Sequence, residues 1–486
     1  MKKSLLSTII GSALMLSLAL AIVCISLFFT SPPPPEVGGG GPPLVTDPST
    51  PGDEDTPGDD DPGPVLPQYP SLEDLVEKVY SSTLPTFKIT VNGQTIPDRS
   101  HPLYSEYILS PLVYENNTEN YEDQEARIRI RGTSSRWFPK KGYKVKLSSK
   151  KSFAGLPANK KYNFLASYLD PSFLRDYLAM SISYNMNSHY NRYAPKPELS
   201  KLYLDDTYKG LYLLLDDIGA NNGKIPLDDY SPTDTEIPFI LEMDTIAYRT
   251  GTEGVDYFAL GETTVFDYDG DGKTALLYAI DTPDAEDVTP AQFQYIQSYV
   301  TSCRQALVDK NLETFKELVD VDAFIDYFML GELFRNTDMA GRSVYLYKSS
   351  KTSKLVFGPS WDFDYTCSRP YSASSPNTDY TLTNAKDRFY DYDWWKLFLE
   401  IDGAEDIVKD RYTNYLKKIY EYEIQQALTF FEFYEEDIKQ NASIWYSSNT
   451  NDTNALVDDN KKWTFDYFKL RMEMMDSLFL KDTTKK

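Results

Sequence analysis

The stretch Arg127-Ile128-Arg129-Ile130-Arg131-Gly132-Thr133-Ser134-Ser135-Arg136-Trp137-Phe138-Pro139-Lys140-Lys141-Gly142-Tyr143-Lys144-Val145-Lys146-Leu147 decides how the folded part of the chain is read. Both ends alternate strictly between basic and apolar or aromatic residues, the period-2 pattern of half-buried strands. Alternation sends Arg127, Arg129 and Arg131 to one face of the first strand, and Lys144 and Lys146 to one face of the second. A hairpin brings the two basic rows close together. On the residues alone, the rows are either a solvated outer sheet face or the wall of a phosphate pocket.

The rows stand out because the chain is acidic, with 49 Lys and Arg against 73 Asp and Glu and a net charge of −24. That balance excludes a nucleic-acid binder relying on bulk charge, though not a local basic pocket. Two histidines, His101 and His189, exclude a His-rich metal site. Three cysteines, Cys24, Cys303 and Cys367, supply neither a zinc cluster nor a disulfide framework. At 486 residues, 41% apolar and 25% charged, the chain has material for one large or two medium domains.

Working outward, Lys2 and Lys3 precede an apolar run from Leu5 to Phe29. The run is long enough to span a bilayer with some tilt. Leu27-Phe28-Phe29-Thr30 is a poor cleavage exit, and Ile22-Val23 before Cys24 are bulky for lipidation. The expectation is an uncleaved membrane anchor over residues 1–30 with the lysines in the cytoplasm and the remainder outside, or a secreted protein if the segment is cleaved. Residues 31–70 hold Pro32 to Pro35, Gly38 to Gly41, eight acids and no bases. Such composition predicts a disordered, extended stalk. Residues 71–486, still at −18, are the expected folded domain.

Ser71-Leu72-Glu73-Asp74 has the form of a helix start. Strand-like segments follow to about residue 250. Leu202-Tyr203-Leu204 and Leu211-Tyr212-Leu213-Leu214-Leu215 flank a polar turn, and Phe239-Ile240-Leu241-Glu242-Met243-Asp244 is a buried strand ending in acids. Thr289-Pro290 opens a helix whose Phe293, Ile296, Val300, Cys303 and Leu307 share one stripe. Asp322 is the expected cap of a second helix running to about Arg335, and helical patterns dominate from Ala404.

Two acidic clusters compete as metal sites. Asp267-Tyr268-Asp269-Gly270-Asp271-Gly272 begins like a calcium loop, but its twelfth position is Tyr278 rather than the bidentate Glu. A turn between strands is the preferred reading there. In Gly358-Pro359-Ser360-Trp361-Asp362-Phe363-Asp364, two carboxylates alternate with aromatics that seek burial. Acids drawn into a confined place need a cation or a base, which makes this the better metal candidate. Upstream lie Arg335-Asn336-Thr337-Asp338 and the strand-like Ser343-Val344-Tyr345-Leu346-Tyr347-Lys348. Basic strand, loop Asp, strand, then Asp-containing turn is the order of parts in protein kinases.

The residues from Arg127 to Arg411 resemble the CotH kinase family, the secreted atypical kinases related to spore coat protein H. The segment Arg129 to Tyr143 is similar to the family's R-G-N-S-T-W-x-x-P-K-K-x-Y block, with Thr133 in place of its Asn. Phe164 to Asp170 with Leu174-Arg175-Asp176-Tyr177-Leu178, then Tyr208 to Leu214, Leu241 to Asp244, Asn336 to Lys348 and Gly358 to Asp364 follow in family order. Asp216 stands where the family often has Glu, Ser343 where protein kinases place a second-metal Asn, and Tyr365-Thr366-Cys367-Ser368 where small residues are usual.

The resemblance implies an α+β, atypical two-lobed protein-kinase-like fold. It implies ATP with Mg²⁺ or Mn²⁺ and transfer to Ser or Thr of secreted or cell-surface proteins, with no nucleic-acid partner. By position, Asp338 matches the catalytic acid and Asp362 the metal-binding acid, with Asp364 assisting. Lys141 or Lys146 would hold phosphates, with Arg131 nearby and Glu242 also on the nucleotide. Competing classes are an inactive pseudokinase, a stalked scaffold whose aromatics hold glycan, and a carboxylate-pair glycosidase; the last has no specific spacing in its favour.

Overall fold

The computed structural model describes residues 69–481 apart from 72, 74, 76, 77, 79, 99–106, 221–222, 245–250, 264–273, 369–384 and 386–391. The expected anchor and stalk and the calcium-like loop at 267–272 lie outside the described residues, as does part of the helix start at 71–74. Among the described residues no helix is long and apolar enough to cross a membrane. Tyr69, just ahead of Ser71, stacks on Tyr415 with ring centroids 5.9 Å apart and donates to Asp410 at 3.0 Å.

The first nine strands are β1 (Thr86–Ile89), β2 (Ile108–Leu109), β3 (Leu112–Glu115), β4 (Asn120–Asp123), β5 (Arg127–Arg131), β6 (Gly142–Lys151), β7 (Asn159–Leu165), β8 (Glu198–Leu204) and β9 (Thr207–Asp216). They form one sheet in the order β2-β5-β6-β7-β9-β8-β1-β3-β4. Five more, β10 (Phe239–Met243), β11 (Tyr257–Thr263), β12 (Thr274–Thr282), β13 (Val344–Lys348) and β14 (Val356–Phe357), form an antiparallel sheet ordered β11-β12-β10-β13-β14. The helices are α1 (Leu174–Ser188), α2 (Pro290–Val308), α3 (Leu312–Leu318), α4 (Val321–Phe334), α5 (Asp393–Leu399), α6 (Ala404–Arg411), α7 (Lys417–Trp445) and α8 (Thr453–Phe479). The architecture is mixed α+β.

The larger sheet curls. Phe87 on β1 and Phe164 on β7 are separated by β8 and β9, which in a flat sheet would hold them roughly 14 Å apart. Their ring centroids lie 4.9 Å apart. Curling lets the inward face close over its own apolar cluster, including Ile128, Tyr143, Val145, Tyr162 and Leu214. The basic residues of β5 and β6 take the other face, as alternation predicts. On that same side, toward β8 and β9, Leu199, Leu211 and Leu213 meet the main core with α1 and α7.

Local signals explain most boundaries. Thr289 and Gln292 form a capping box ahead of Pro290, and the stripe Phe293, Ile296, Val300, Cys303 and Leu307 is buried. The β8–β9 connection is tighter than the polar run suggests. Asp205 and Asp206, at φ 47° and 62°, make a two-residue turn, so Thr207 to Gly210 already belong to β9. The cap of α4 is Asp320, which accepts from Ala323 N at 2.9 Å, rather than Asp322. Asp322 instead reaches Arg411 at 2.9 Å.

Candidate active site

Asp338 and Asp362 come from segments that follow α4 and β14, and one side chain ties them together. Arg335 ends α4 in the left-handed conformation, φ 50°, and turns the chain into Asn336-Thr337-Asp338. Asn336 is buried, so its amide needs partners on both sides. Its Oδ1 accepts the Asp338 N–H at 3.0 Å, and its Nδ2 donates to the Asp362 carbonyl at 2.9 Å. Its own carbonyl accepts the Tyr392 hydroxyl at 2.6 Å.

The Asp362 turn is held by its aromatic neighbours and by α1. Trp361 and Phe363 are buried, as their chemistry predicts. Phe363 packs edge-on against Phe334 of α4 at 5.2 Å. Asp362 sits at φ 66°, a left-handed conformation that costs a non-glycine residue energy unless its surroundings impose it. They do: Asp176 Oδ1 accepts the Phe363 N–H at 3.1 Å, Thr366 closes the turn onto the Phe363 carbonyl at 2.7 Å, and Arg175 donates to the Thr366 carbonyl at 3.3 Å. Asp176 Oδ2 accepts from Ser167 Oγ at 3.0 Å.

Four acids therefore converge: Asp176, Asp338, Asp362 and Asp364. Burial and the Asp362 charge push Asp338 up to about 7, with Asp244 adding to the effect. Burial and Asp362 likewise push Asp176 up to about 7. Asp364 is pushed well above the usual carboxylate range by burial, then by Asp362 and Asp176. Asp362 is raised by the protein packed around it, partly offset by Arg131 and by the Ser343 hydroxyl at 3.3 Å. Its side chain still presents an open surface to solvent, the side a ligand would approach.

No three His, Cys, Asp or Glu side chains among the described residues close into a ready-made metal cage. The donor set nevertheless fits a hard divalent ion: carboxylates forced together raise one another's proton affinity, and a cation relieves that repulsion. Nucleotide-bound Mg²⁺ takes only one or two protein carboxylates, completed by phosphate and water, a number that Asp362 and Asp364 could supply.

The basic wall is arranged differently from the order of lysines in the sequence. Arg131 lies over the Trp361 ring at 5.3 Å and lowers the Asp362 carboxyl, which places it at the acid cluster. Lys141 spends its ammonium on the Arg136 carbonyl at 2.6 Å, within its own loop. Lys140 is buried and donates to the Ala166 carbonyl at 2.9 Å and to that of Leu211. Lys146 is exposed, midway along β6 and two residues beyond Lys144 on the same face. Between them, Lys144 pairs with Asp217 at 2.7 Å, and Asn163 also donates to Asp217 at 2.9 Å. Asp217, not Asp216, is the acid on the basic face; Asp216 points the other way and accepts from Tyr193 at 2.7 Å. Glu242 on β10 lies opposite Tyr345 on β13 and bonds its hydroxyl. Tyr345 also senses Asp217 and Asp281, so the Lys144–Asp217 pair faces the second sheet near Glu242.

Sequence reasoning passed over Asp176 and Asn336, and left Lys144 as one of three lysines, with Lys141 and Lys146, that could contact phosphate, without its Asp217 partner. Asp176 and Asn336 lie inside segments that resemble the family, yet nothing local marks them as supports. The Lys144–Asp217 pair was visible only as one of several alternating lysines beside a double Asp.

Comparison with known families and proteins completes this picture. A search of curated proteins finds no match. The family model described as CotH kinase protein matches residues 128–475, from β5 into α8, and encloses every acid of the cluster. Matched over most of its folded length, with a loop acid and a turn acid tethered opposite a basic strand, the chain belongs to the CotH kinase family.

Proposed function

We propose that this protein is an extracytoplasmic protein kinase that transfers the γ-phosphoryl group of ATP to Ser or Thr of secreted or cell-surface proteins. The observation that carries the reading is the Asn336 tether: one buried amide holds the Asp338 backbone and the Asp362 carbonyl in register, opposite Arg131. Phosphoryl transfer depends chiefly on positioning and charge stabilisation, and this arrangement supplies both.

Asp362 and Asp364 would hold Mg²⁺ or Mn²⁺, which would supply charge neutralisation on the phosphates. Arg131 and the Lys144–Asp217 pair line the nucleotide side. Asp338 orients the acceptor hydroxyl. That oxygen bonds to the γ-phosphorus while the bond to the β,γ-bridging oxygen breaks. ADP leaves with the electron pair, and the hydroxyl proton passes to Asp338. Burial, the larger cause of the raised proton affinity of Asp338, persists when a cation neutralises Asp362 and suits the acid to this role. The apolar run at 5–29 supports an anchor that places the domain outside the membrane.

The test is incubation of the full chain with labelled ATP, Mn²⁺ and a generic Ser/Thr acceptor, beside Asp362→Ala. Label transferred by the wild type and lost in the variant is expected. ATP binding without transfer to any acceptor overturns the reading in favour of a pseudokinase.

A further inference from the structure

The exposed end of the basic sheet face carries cations for which the nucleotide site has no use. Arg127 on β5 pairs in register with Lys146 on β6, and Lys146 pairs in register with Lys161 on β7. All three are exposed, and among the described residues none forms an ion pair with a carboxylate. Asp217, the acid beside the row, is engaged by Lys144. Asp281 senses Lys161 only at longer range. Like charges directly opposite on adjacent strands destabilise a sheet. Three in a row, on a folded region of net charge −18, make a local positive strip about 10 Å long at a strand spacing of about 4.8 Å. Leu109 on β2 continues the row beyond Arg127 and is 55% exposed.

The strip is continuous with the candidate site but separate from its phosphate end. Arg127 is four residues from Arg131 on the same face of the same strand, roughly 13 Å at strand rise. Phosphates held beside Asp362 and Arg131 would not reach it, whereas an extended polypeptide covers the distance in about four residues.

We infer that the Arg127–Lys146–Lys161 row docks an acidic segment of the protein acceptor, with Asp or Glu three to five positions from the Ser or Thr that receives phosphate. The inference rests on the kinase reading and names its substrate class. Charge complementarity calls for anions, which a polypeptide acceptor supplies as carboxylates, and Leu109 adds a place for one apolar side chain beside them.

The test separates docking from transfer. Fluorescein-labelled Ser peptides, with four acids at those positions or with Gln in their place, are titrated with the full chain by anisotropy without ATP. Binding about tenfold tighter for the acidic peptide, weakened by 0.5 M NaCl, is expected. The surface variant R127E/K161E should lose that preference, and in transfer assays it should raise KM for the acidic peptide while KM for ATP stays within about twofold. Equal binding of the two peptides, or preference retained by R127E/K161E, overturns the inference. A variant whose defect is in KM for ATP also overturns it, by assigning the row to nucleotide. If the wild type transfers phosphate to neither peptide nor to the generic acceptor, the kinase reading fails, and anisotropy still judges the docking surface.

Discussion

The Asp176 carboxylate accepts the backbone N–H of Phe363 at 3.1 Å, joining α1 to the turn between Asp362 and Asp364 across 187 residues of sequence. The acid thus supports the two candidate cation ligands through the peptide that links them. Asp176→Ala leaves the buried Phe363 N–H without its acceptor, a loss of about 1–3 kcal/mol. Asp176→Asn keeps an oxygen for that N–H and should cost less than half as much in urea unfolding. If the Asn variant is as unstable as the Ala variant, the carboxylate charge, not the hydrogen bond, is what α1 contributes.

Asp362→Ala should leave the fold intact, because it removes one charge from a cluster whose members repel each other. Affinity for Mn²⁺–ATP should fall by about tenfold or more, since the cation loses an anionic oxygen ligand. Calorimetric titration of wild type and variant gives the comparison. Equal affinities would exclude Asp362 as a ligand.

Asp338→Asn is nearly isosteric and keeps the backbone N–H that Asn336 accepts. Turnover should fall by about 10²–10⁴-fold, the usual contribution of a positioned general base, with ATP affinity nearly unchanged. Steady-state kinetics beside nucleotide titration separates the two effects. Wild-type turnover in the variant would move the role to another acid, with Glu242 or Asp244 next in line.

The pH dependence of cation binding has a defined sign. Asp176 and Asp338 rise from an ordinary value of 3.8 to about 7 on folding, so the folded state holds their protons more tightly. Their contribution to stability is full below about pH 4 and is lost as pH rises through about 7. A divalent ion replaces the departing protons, so the gain in Tm on adding Mn²⁺ should be small at pH 5 and grow toward pH 7.5. Thermal melts across that range check it; a gain independent of pH would put the cation elsewhere.

Support for Asp338 extends into the helical layer. Arg471 on α8 pairs with Glu332 on α4 at 2.8 Å, with both side chains fully buried, and also donates to the Glu332 carbonyl at 2.7 Å. Arg471→Met leaves Glu332 as an uncompensated buried charge, at a cost of about 3–5 kcal/mol. Urea unfolding should show it. A loss under about 1 kcal/mol would mean that Glu332 takes up a proton at little cost.

Much of the fold was legible because its signals are local. The alternation in β5 and β6 and the burial of Trp361 and Phe363 follow from residue type and spacing alone. So does the stripe of α2 with its Thr289 cap. The α4 cap was misplaced by two residues because Asp320 and Asp322 look equivalent in sequence. Only the path of the chain shows Asp322 turned toward Arg411.

By itself, the sequence determined the α+β class, the family and the acids Asp338, Asp362 and Asp364 as candidates, since these rest on short-range patterns and ordered motifs. The tertiary structure decided which groups stand beside them. A one-residue step along a strand reverses the face a side chain occupies, so Asp217 reaches Lys144 while Asp216 turns to Tyr193. The partners of a buried amide or carboxylate are set by chain crossings hundreds of residues apart. That is why Asp176 and Asn336 emerge as supports of the acid cluster only once α1, α4 and the Asp362 turn are packed together.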